Sequence, residues 1–380
     1  MSIDAVELAR KLVEFPSVNP PGEEKHCADF VARLLEERGF AVERYEFAPG
    51  RPSLVARIGG TGNGKPLAFT GHLDVVPVGS APWRHPPFAA VVDDGKLHGR
   101  GSCDMKSGVA AFITAACTLL ARGTPFRRGL TFVITAGEET GCEGAFDLAR
   151  RNVLGETELL IVAEPTSNRP IAAHKGSFRV AVTAKGKSAH SSMPQEGDNA
   201  ILKAAAWIAA VQALRFEESH PLLGAPTAAV TTITGGQAVN VIPDSARFTV
   251  DFRTLPGQDH AELLARLRRM FGPEAEIEVL TDFKGYATEP DAPAVQPLLD
   301  LLARRRGERP AVTGAPYFTD ASALVPGFNG APTIVIGPGL AEQCHKTDEH
   351  IALSDIHEAV ELYRDLIERL CCHDQVAKEV

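Results

Sequence analysis

No stretch of this chain approaches the roughly 18 uninterrupted apolar residues that a membrane span requires. Basic charge is also short. The 39 Lys and Arg against 48 Asp and Glu leave a net charge of −9, which argues against nucleic acid as a partner, because phosphate binding draws on a basic surface. Cysteine is scarce and unpaired: the seven thiols are odd in number, form no C-x-x-C pair and include the adjacent Cys371 and Cys372. That is a poor disulfide framework, and a reducing cytoplasm is the simplest expectation. The first residues, MSIDAVELARKLVEF, carry acidic groups within an amphipathic pattern and no long apolar core, so neither a signal peptide nor a transit peptide is expected. What the chain does have is length and an ordinary core. Its 380 residues, 44% hydrophobic and 23% charged, exceed one compact core and fit two domains.

The pattern centres on Pro66 to Pro77, PLAFTGHLDVVP. Leu67 to Thr70 reads as a buried strand that breaks at Gly71. Side chains two apart in extended chain share a face, so His72 and Asp74 point the same way. This is the pattern of a metal-ligating imidazole with a carboxylate behind it, or of a capped strand end with two solvated polar residues. Later segments repeat the theme. In GRGSCDMKSG, Gly99 to Gly108, Asp104 precedes an apolar helix over Lys106 to Arg122, either as an N-terminal charge or as a bridging metal ligand reached by a glycine-rich bend. The run Leu130 to Ala136 ends in Glu138 and Glu139, adjacent carboxylates that repel near a low-dielectric interior unless a cation is present. They divide two tasks, one binding metal and the other handling protons, or else form an exposed acidic loop. Leu159 to Ala163 delivers Glu164. Open α/β sheets gather ligands at the carboxyl ends of their strands, where His72, Glu139 and Glu164 are expected to converge. His345 and His350 are five apart, off the spacing of one helix face, so at most one is a ligand.

Gly59 to Pro66 imitates a phosphate-binding loop, but Pro66 stands where Ser or Thr should hold magnesium and the loop leads into a strand. A hairpin turn is expected there instead. Helices are expected over Ile3 to Phe15, Glu23 to Arg38, 294–306 and 353–371, with strands at 41–47, 53–58, 66–71 and 333–336. From about Ser177 the order becomes strand 178–185, helix 199–214, strands 228–234 and 245–252, helix 259–271 and strand 276–281. This βαββαβ order predicts a ferredoxin-like insert over 178–286. The expected catalytic domain is then discontinuous, 1–177 and 287–380, an α/β domain with a central mixed sheet between helices.

Six motifs in order, GHLDVVP, GRGSCDMKSG, TAGEETG, EPT, KGKSAHSSMPQEGDNA and CHKTDEH, resemble the M20 metallopeptidase and deacylase family over nearly the whole chain. The resemblance implies a dinuclear metal-dependent amide hydrolase with a metallo-exopeptidase-like catalytic domain and an inserted lid and dimerisation domain. It implies that His72, Asp104 and Glu164 hold one metal and that Asp104, Glu139 and His345 hold the other, the ions being zinc, with cobalt or manganese as substitutes. Asp74 would stand behind His72, Glu138 would be the general base, His190 would stabilise the oxyanion, and Asn240 and Arg253 would bind the substrate carboxylate. A homodimer through the insert is implied, and no nucleic-acid or membrane partner. EPTSNRPIAAHKGSFRV and APTIVIGPGLAEQCHKTDEH look like the branch that deacetylates N-acetyl-ornithine in arginine biosynthesis, more than like the succinyl-diaminopimelate desuccinylase branch. Gly314 to Leu324 departs from both. Other amino-acid deacylases and dipeptidases share the same metal chemistry, and a metal-binding regulatory protein without catalysis is the alternative of a different class.

Overall fold

The computed structural model describes residues 3–60 and 62–372. The chain divides into two compact units. The first runs to Ala172 and resumes over Thr288–Thr313 and from Thr319 on, and the second comprises Ala173–Ala287 and Gly314–Phe318. The division comes about five residues earlier than the pattern change at Ser177 suggests. Residues 314–318 were expected in the catalytic domain and belong instead to the second unit.

The first unit is an α/β fold around a mixed sheet. Its strands lie in the spatial order Ala41–Ala48, Arg51–Ile58, Leu130–Thr135, Leu67–His72, Leu159–Val162 and Thr333–Val335, and the chain leaves the first unit within the next strand, Ile171–His174. Leu67–His72 runs parallel to Leu130–Thr135 and to Leu159–Val162, which in turn runs parallel to Thr333–Val335. These central strands are buried at every position, as apolar runs covered on both faces require. The helix Ser107–Ala121 is equally apolar. The stretch Ser102–Ala121 has the length and hydropathy of a membrane span, yet 83% of it is buried inside the protein, which makes it a core helix. At the N-terminus Asp4 caps the helix Ala5–Val13 by accepting from Glu7 N–H at 2.9 Å.

The loop from Gly59 to Pro66 is not a hairpin. Arg51–Ile58 and Leu67–His72 pair with opposite edges of Leu130–Thr135, so Leu130 stands between Ile58 and Leu67. Ile58 and Leu67 are therefore two strand spacings apart, about 10 Å, and turn residues alone do not reveal which strands lie side by side. Sequence reading also passed over the helices Glu143–Arg151 and Ala321–Gly327 and the strand Ile171–His174.

The second unit holds a four-stranded antiparallel sheet in the order Thr227–Gly235, Ser245–Thr254, Gly176–Lys185, Ala275–Phe283. With the helices Ala200–Gln212 and His260–Phe271 it has βαββαβ connectivity. Its core packs Phe178, Val180, Val182, Phe248, Val250 and Phe252 against Ala204 and Leu267.

Candidate active site

The carboxyl ends of the parallel strands open at one edge of the first unit's sheet, and the polar residues that follow each strand meet there. His72 closes Leu67–His72, Glu138 and Glu139 follow Leu130–Thr135, and Glu164 follows Leu159–Val162. Asp104 arrives from the turn Ser102–Lys106, entered through Gly101 at φ 83. Gly108, one turn further, packs so closely that a Cβ there would come within 2.2 Å of the Ala163 carbonyl oxygen. This glycine therefore brings the Asp104 turn against the strand end that carries Glu164.

His72 Nε2 lies 3.2 Å from Asp104 Oδ1 and 3.7 Å from Glu164 Oε1. His345 Nε2 lies 3.3 Å from Asp104 Oδ2 and 2.9 Å from Glu139 Oε2. Asp104 thus faces one imidazole with each oxygen, and the five residues form two donor groups that share it. His350, by contrast, directs Nδ1 to the Asp348 carbonyl at 2.9 Å and faces other side chains.

Six carboxylates are buried around these rings. Asp74, Asp104, Glu138, Glu164 and Asp320 are all less than 9% exposed and the side chain of Glu139 is 5% exposed. Among the described residues, the ion pairs of Asp104, Glu139 and Glu164 are made with His72 and His345. The protonation equilibria reflect this crowding. Burial works against ionisation of Asp104, but hydrogen bonds to His345 and His72 prevail and hold it well below the usual carboxylate range. Burial raises Glu139 and Glu164, and the charge of Asp104 adds to it. His345 is pushed up to about 10 by its bonds to Asp104 and Glu139. Such a pocket calls for positive charge. Donor separations of 2.9–3.7 Å bracket the roughly 3.3 Å between ligand atoms of a tetrahedral site with bonds of about 2.0–2.1 Å, so the residues fit a pair of divalent ions.

Glu138 stands apart from the two donor groups. Burial raises its pKa well above the ordinary value, His72 opposes this, and the charges of Glu164, Asp320 and Glu139 reinforce it. Its carboxylate groups with Cys142 and Asp320. Asp320 accepts from Thr135 Oγ1 at 2.5 Å, and burial lifts it to about 6. Sequence reasoning missed Asp320, which lies in the stretch noted only as divergent.

Asp74 is placed differently from expectation. His72 Nδ1–H donates to the Asp74 backbone carbonyl at 2.9 Å, whereas the Asp74 carboxylate stands 3.6 Å from that nitrogen. The carboxylate instead accepts from Asn19 Nδ2 at 2.8 Å and from Glu138 N–H and Glu139 N–H at 3.1 Å each. Asp74 therefore aims the two glutamates through their backbone. Glu349 does the same for Asp104. Fully buried, it accepts from Cys103 N–H at 2.8 Å, Asp104 N–H at 3.0 Å, Gly101 N–H at 3.1 Å and Arg100 Nη1 at 2.6 Å. Asn19, Arg100 and Glu349 carried no sequence signal beyond their place in or near the motifs.

The other three expected residues belong to the second unit. His190 is exposed on a two-stranded ribbon opposite Val241, and the neighbouring Ser191 N–H donates to the Asn240 carbonyl at 3.0 Å. His190 Nδ1 accepts from Ser192 N–H at 3.2 Å, which leaves the proton on Nε2. Arg253 donates to Asp251 Oδ2 at 3.1 Å and lies 5.9 Å from the Phe318 ring centre.

Comparison with known proteins agrees with the fold. Peptidase family M20/M25/M40 matches over residues 68–369. The chain is 33% identical to a succinyl-diaminopimelate desuccinylase of Methylobacterium radiotolerans, covering 94% of this chain and 95% of that one. It is also 33% identical to an acetylornithine deacetylase of Myxococcus xanthus, with 86% and 87% covered. Among solved structures, an aminopeptidase of Bacillus cereus shares the fold at a TM-score of 0.80 and 22% identity, with 96% and 97% of the two chains covered. A metallo-carboxypeptidase of Sulfolobus solfataricus does so at 0.81 and 19%, with 96% and 99% covered.

Proposed function

The chain belongs to peptidase family M20/M25/M40, and from that premise we propose that it is a dinuclear metal-dependent hydrolase that cleaves N-acetyl-ornithine to ornithine and acetate. The observation that carries this reading is the convergence of His72, Asp104, Glu139, Glu164 and His345 with Asp104 shared between two donor groups. His72, Asp104 and Glu164 would hold one ion, and Asp104, Glu139 and His345 the other. Imidazole and carboxylate donors suit zinc, with cobalt or manganese as substitutes. When bound, such a pair supplies Lewis-acid activation of water and of the amide carbonyl.

The protein's own groups do the rest. Glu138, with its pKa raised by burial, accepts the proton of the attacking water and returns it to the departing amine. His190 donates its Nε2 proton to the oxyanion, from this chain or from a partner copy. Arg253, already held by Asp251, and Asn240 bind the substrate carboxylate. The proposed homodimer pairs through the second unit, a reading supported by its edge strand Thr227–Gly235, which carries neither charge nor proline and exposes Ile233.

The names of the curated relatives favour a second reading, hydrolysis of N-succinyl-diaminopimelate. The deciding experiment compares release of acetate and succinate from the two substrates with zinc or cobalt supplied and with a chelator added. Chelator-sensitive cleavage of the acetyl substrate supports the first reading. Preference for the succinyl substrate replaces it with the second, and cleavage of neither by metal-loaded protein overturns the deacylase assignment.

A further inference from the structure

A second group of ligand-type side chains lies on the three-stranded antiparallel sheet of Val91–Asp93, Lys96–His98 and His350–Ala352. On the central strand, His98 pairs with Val91 on one side and with His350 on the other. Directly paired residues share a face, and Asp93, two residues beyond Val91, shares it too. His85 comes onto this face from the loop before the first strand, its ring centre 4.9 Å from that of His98, which is 5.4 Å from that of His350. One donor atom each from His85, Asp93 and His98 lies within 4.8 Å of the others.

We propose that His85, Asp93 and His98 form a third metal site, distinct from the carboxylate pocket, that takes a zinc-class divalent cation, with His350 as the neighbouring imidazole nearest a fourth position. Two nitrogens and one carboxylate oxygen are a borderline donor set that zinc favours over calcium or magnesium. His85 Nε2 is buried and makes no hydrogen bond among the described residues, and Asp93 Oδ2 stands 3.6 Å away. That is too long for a hydrogen bond and close to the roughly 3.3 Å between two ligands of one tetrahedral ion with bonds of about 2.0–2.1 Å.

The surroundings prepare the rings for ligation. His350 donates Nδ1–H to the Asp348 carbonyl at 2.9 Å, leaving the Nε2 lone pair free. The Asp348 carboxylate accepts from Arg84 N–H at 2.7 Å and so anchors the loop that carries His85. The competing partner of Asp93 is the Arg84 guanidinium at 3.1 Å, 69% exposed. Such a surface pair is weak, and a chelated divalent ion displaces it.

The proposal stands independently of the catalytic reading. The full-length protein is equilibrated with zinc and freed of loose metal. Its zinc content is then compared with that of His85→Ala/His98→Ala, and the ions are located by anomalous scattering in wild-type crystals. The expected result is one zinc fewer in the variant, unchanged turnover, and an anomalous peak between His85, Asp93 and His98. A Glu139→Ala/His345→Ala variant retains that peak, so loss of zinc from the carboxylate pocket does not count against it. Equal zinc in wild type and variant, or no peak on this sheet, overturns the proposal. If the variant does not fold, the wild-type peak decides alone.

Discussion

The most exacting test of how the site is built is Glu349→Gln, a change that keeps shape and removes charge. Glu349 is fully buried and faces Arg100, itself 2% exposed, at 2.6 Å. Leaving one partner of a buried ion pair uncompensated costs about 3–5 kcal/mol. A glutamine also turns an N–H donor towards either Arg100 or one of the backbone donors of Gly101, Cys103 and Asp104, which now share a single oxygen. At roughly 2–4 °C per kcal/mol for a domain of this size, the melting temperature should fall on the order of 10 °C. Because Asp104 loses its backbone anchor, metal affinity should drop about 10- to 100-fold, as for other residues that orient ligands. Differential scanning fluorimetry with and without zinc, beside a competition titration for metal, reads both quantities. The double variant Arg100→Met/Glu349→Gln removes the stranded cation and should recover part of the stability while metal affinity stays low. A melting point and metal affinity unchanged in the single variant would refute the claim that the Glu349 charge holds the Asp104 turn.

Glu138→Ala should retain metal yet lose turnover by about 10²- to 10⁴-fold, the usual contribution of a general base, whereas Glu139→Ala should lose metal; elemental analysis beside kinetics separates the two, and full activity in the first variant removes Glu138 from the proton-transfer role. His190→Ala should cost about 3 kcal/mol in turnover with metal content unchanged. His174, fully buried and donating Nδ1–H to the Lys175 carbonyl at 3.0 Å, has its pKa pushed down by burial to about 4 from an ordinary 6.5. The unfolded chain therefore binds the extra proton first, and stability falls as pH drops from 6.5 towards 4, by about 2 kcal/mol at pH 5. Urea titrations of His174→Phe should show a shallower pH dependence than wild type, and parallel curves would exclude His174 as the source. Ile233→Lys, on the edge strand of the second unit and 54% exposed in wild type, should convert a dimer to a monomer in sedimentation, a result that a monomeric wild type would forestall.

The strands were legible where apolar runs ended in a ligand-type residue. Leu67–His72, Leu130–Thr135 and Leu159–Val162 are buried throughout, so their composition alone marks them as central, and parallel pairing brings their ends together. What the runs could not convey was their order. Gly59 to Pro66 has the composition of a tight turn, yet the third strand in space stands between its two flanking strands. The helix Ala321–Gly327 was hidden because it is short and contains Pro326, and with it went Asp320, whose approach to Glu138 depends on a contact far apart in sequence.

The carboxylates of the site fall into two kinds that composition does not distinguish. Asp104, Glu139 and Glu164 face imidazole nitrogens, whereas Asp74 and Glu349 face backbone N–H groups of the turns that carry Glu139 and Asp104. An Asp or Glu that accepts several N–H bonds fixes a loop in space, and one that faces only acceptors and rings is left to bind a cation. The sequence spacing correctly put His72 and Asp74 on one side of the chain, but the oxygen that receives the imidazole N–H is the carbonyl, at 2.9 Å, because the carboxylate is already taken by Asn19, Glu138 and Glu139. The same reasoning explains why Glu349, one residue before His350 in a motif read for its histidines, escaped notice: its role depends on Gly101, Cys103 and Asp104, some 245 positions earlier. A residue such as His72 announces itself by its place at a strand end, whereas Glu349, which holds the Asp104 turn, is recognisable only once the two segments have met.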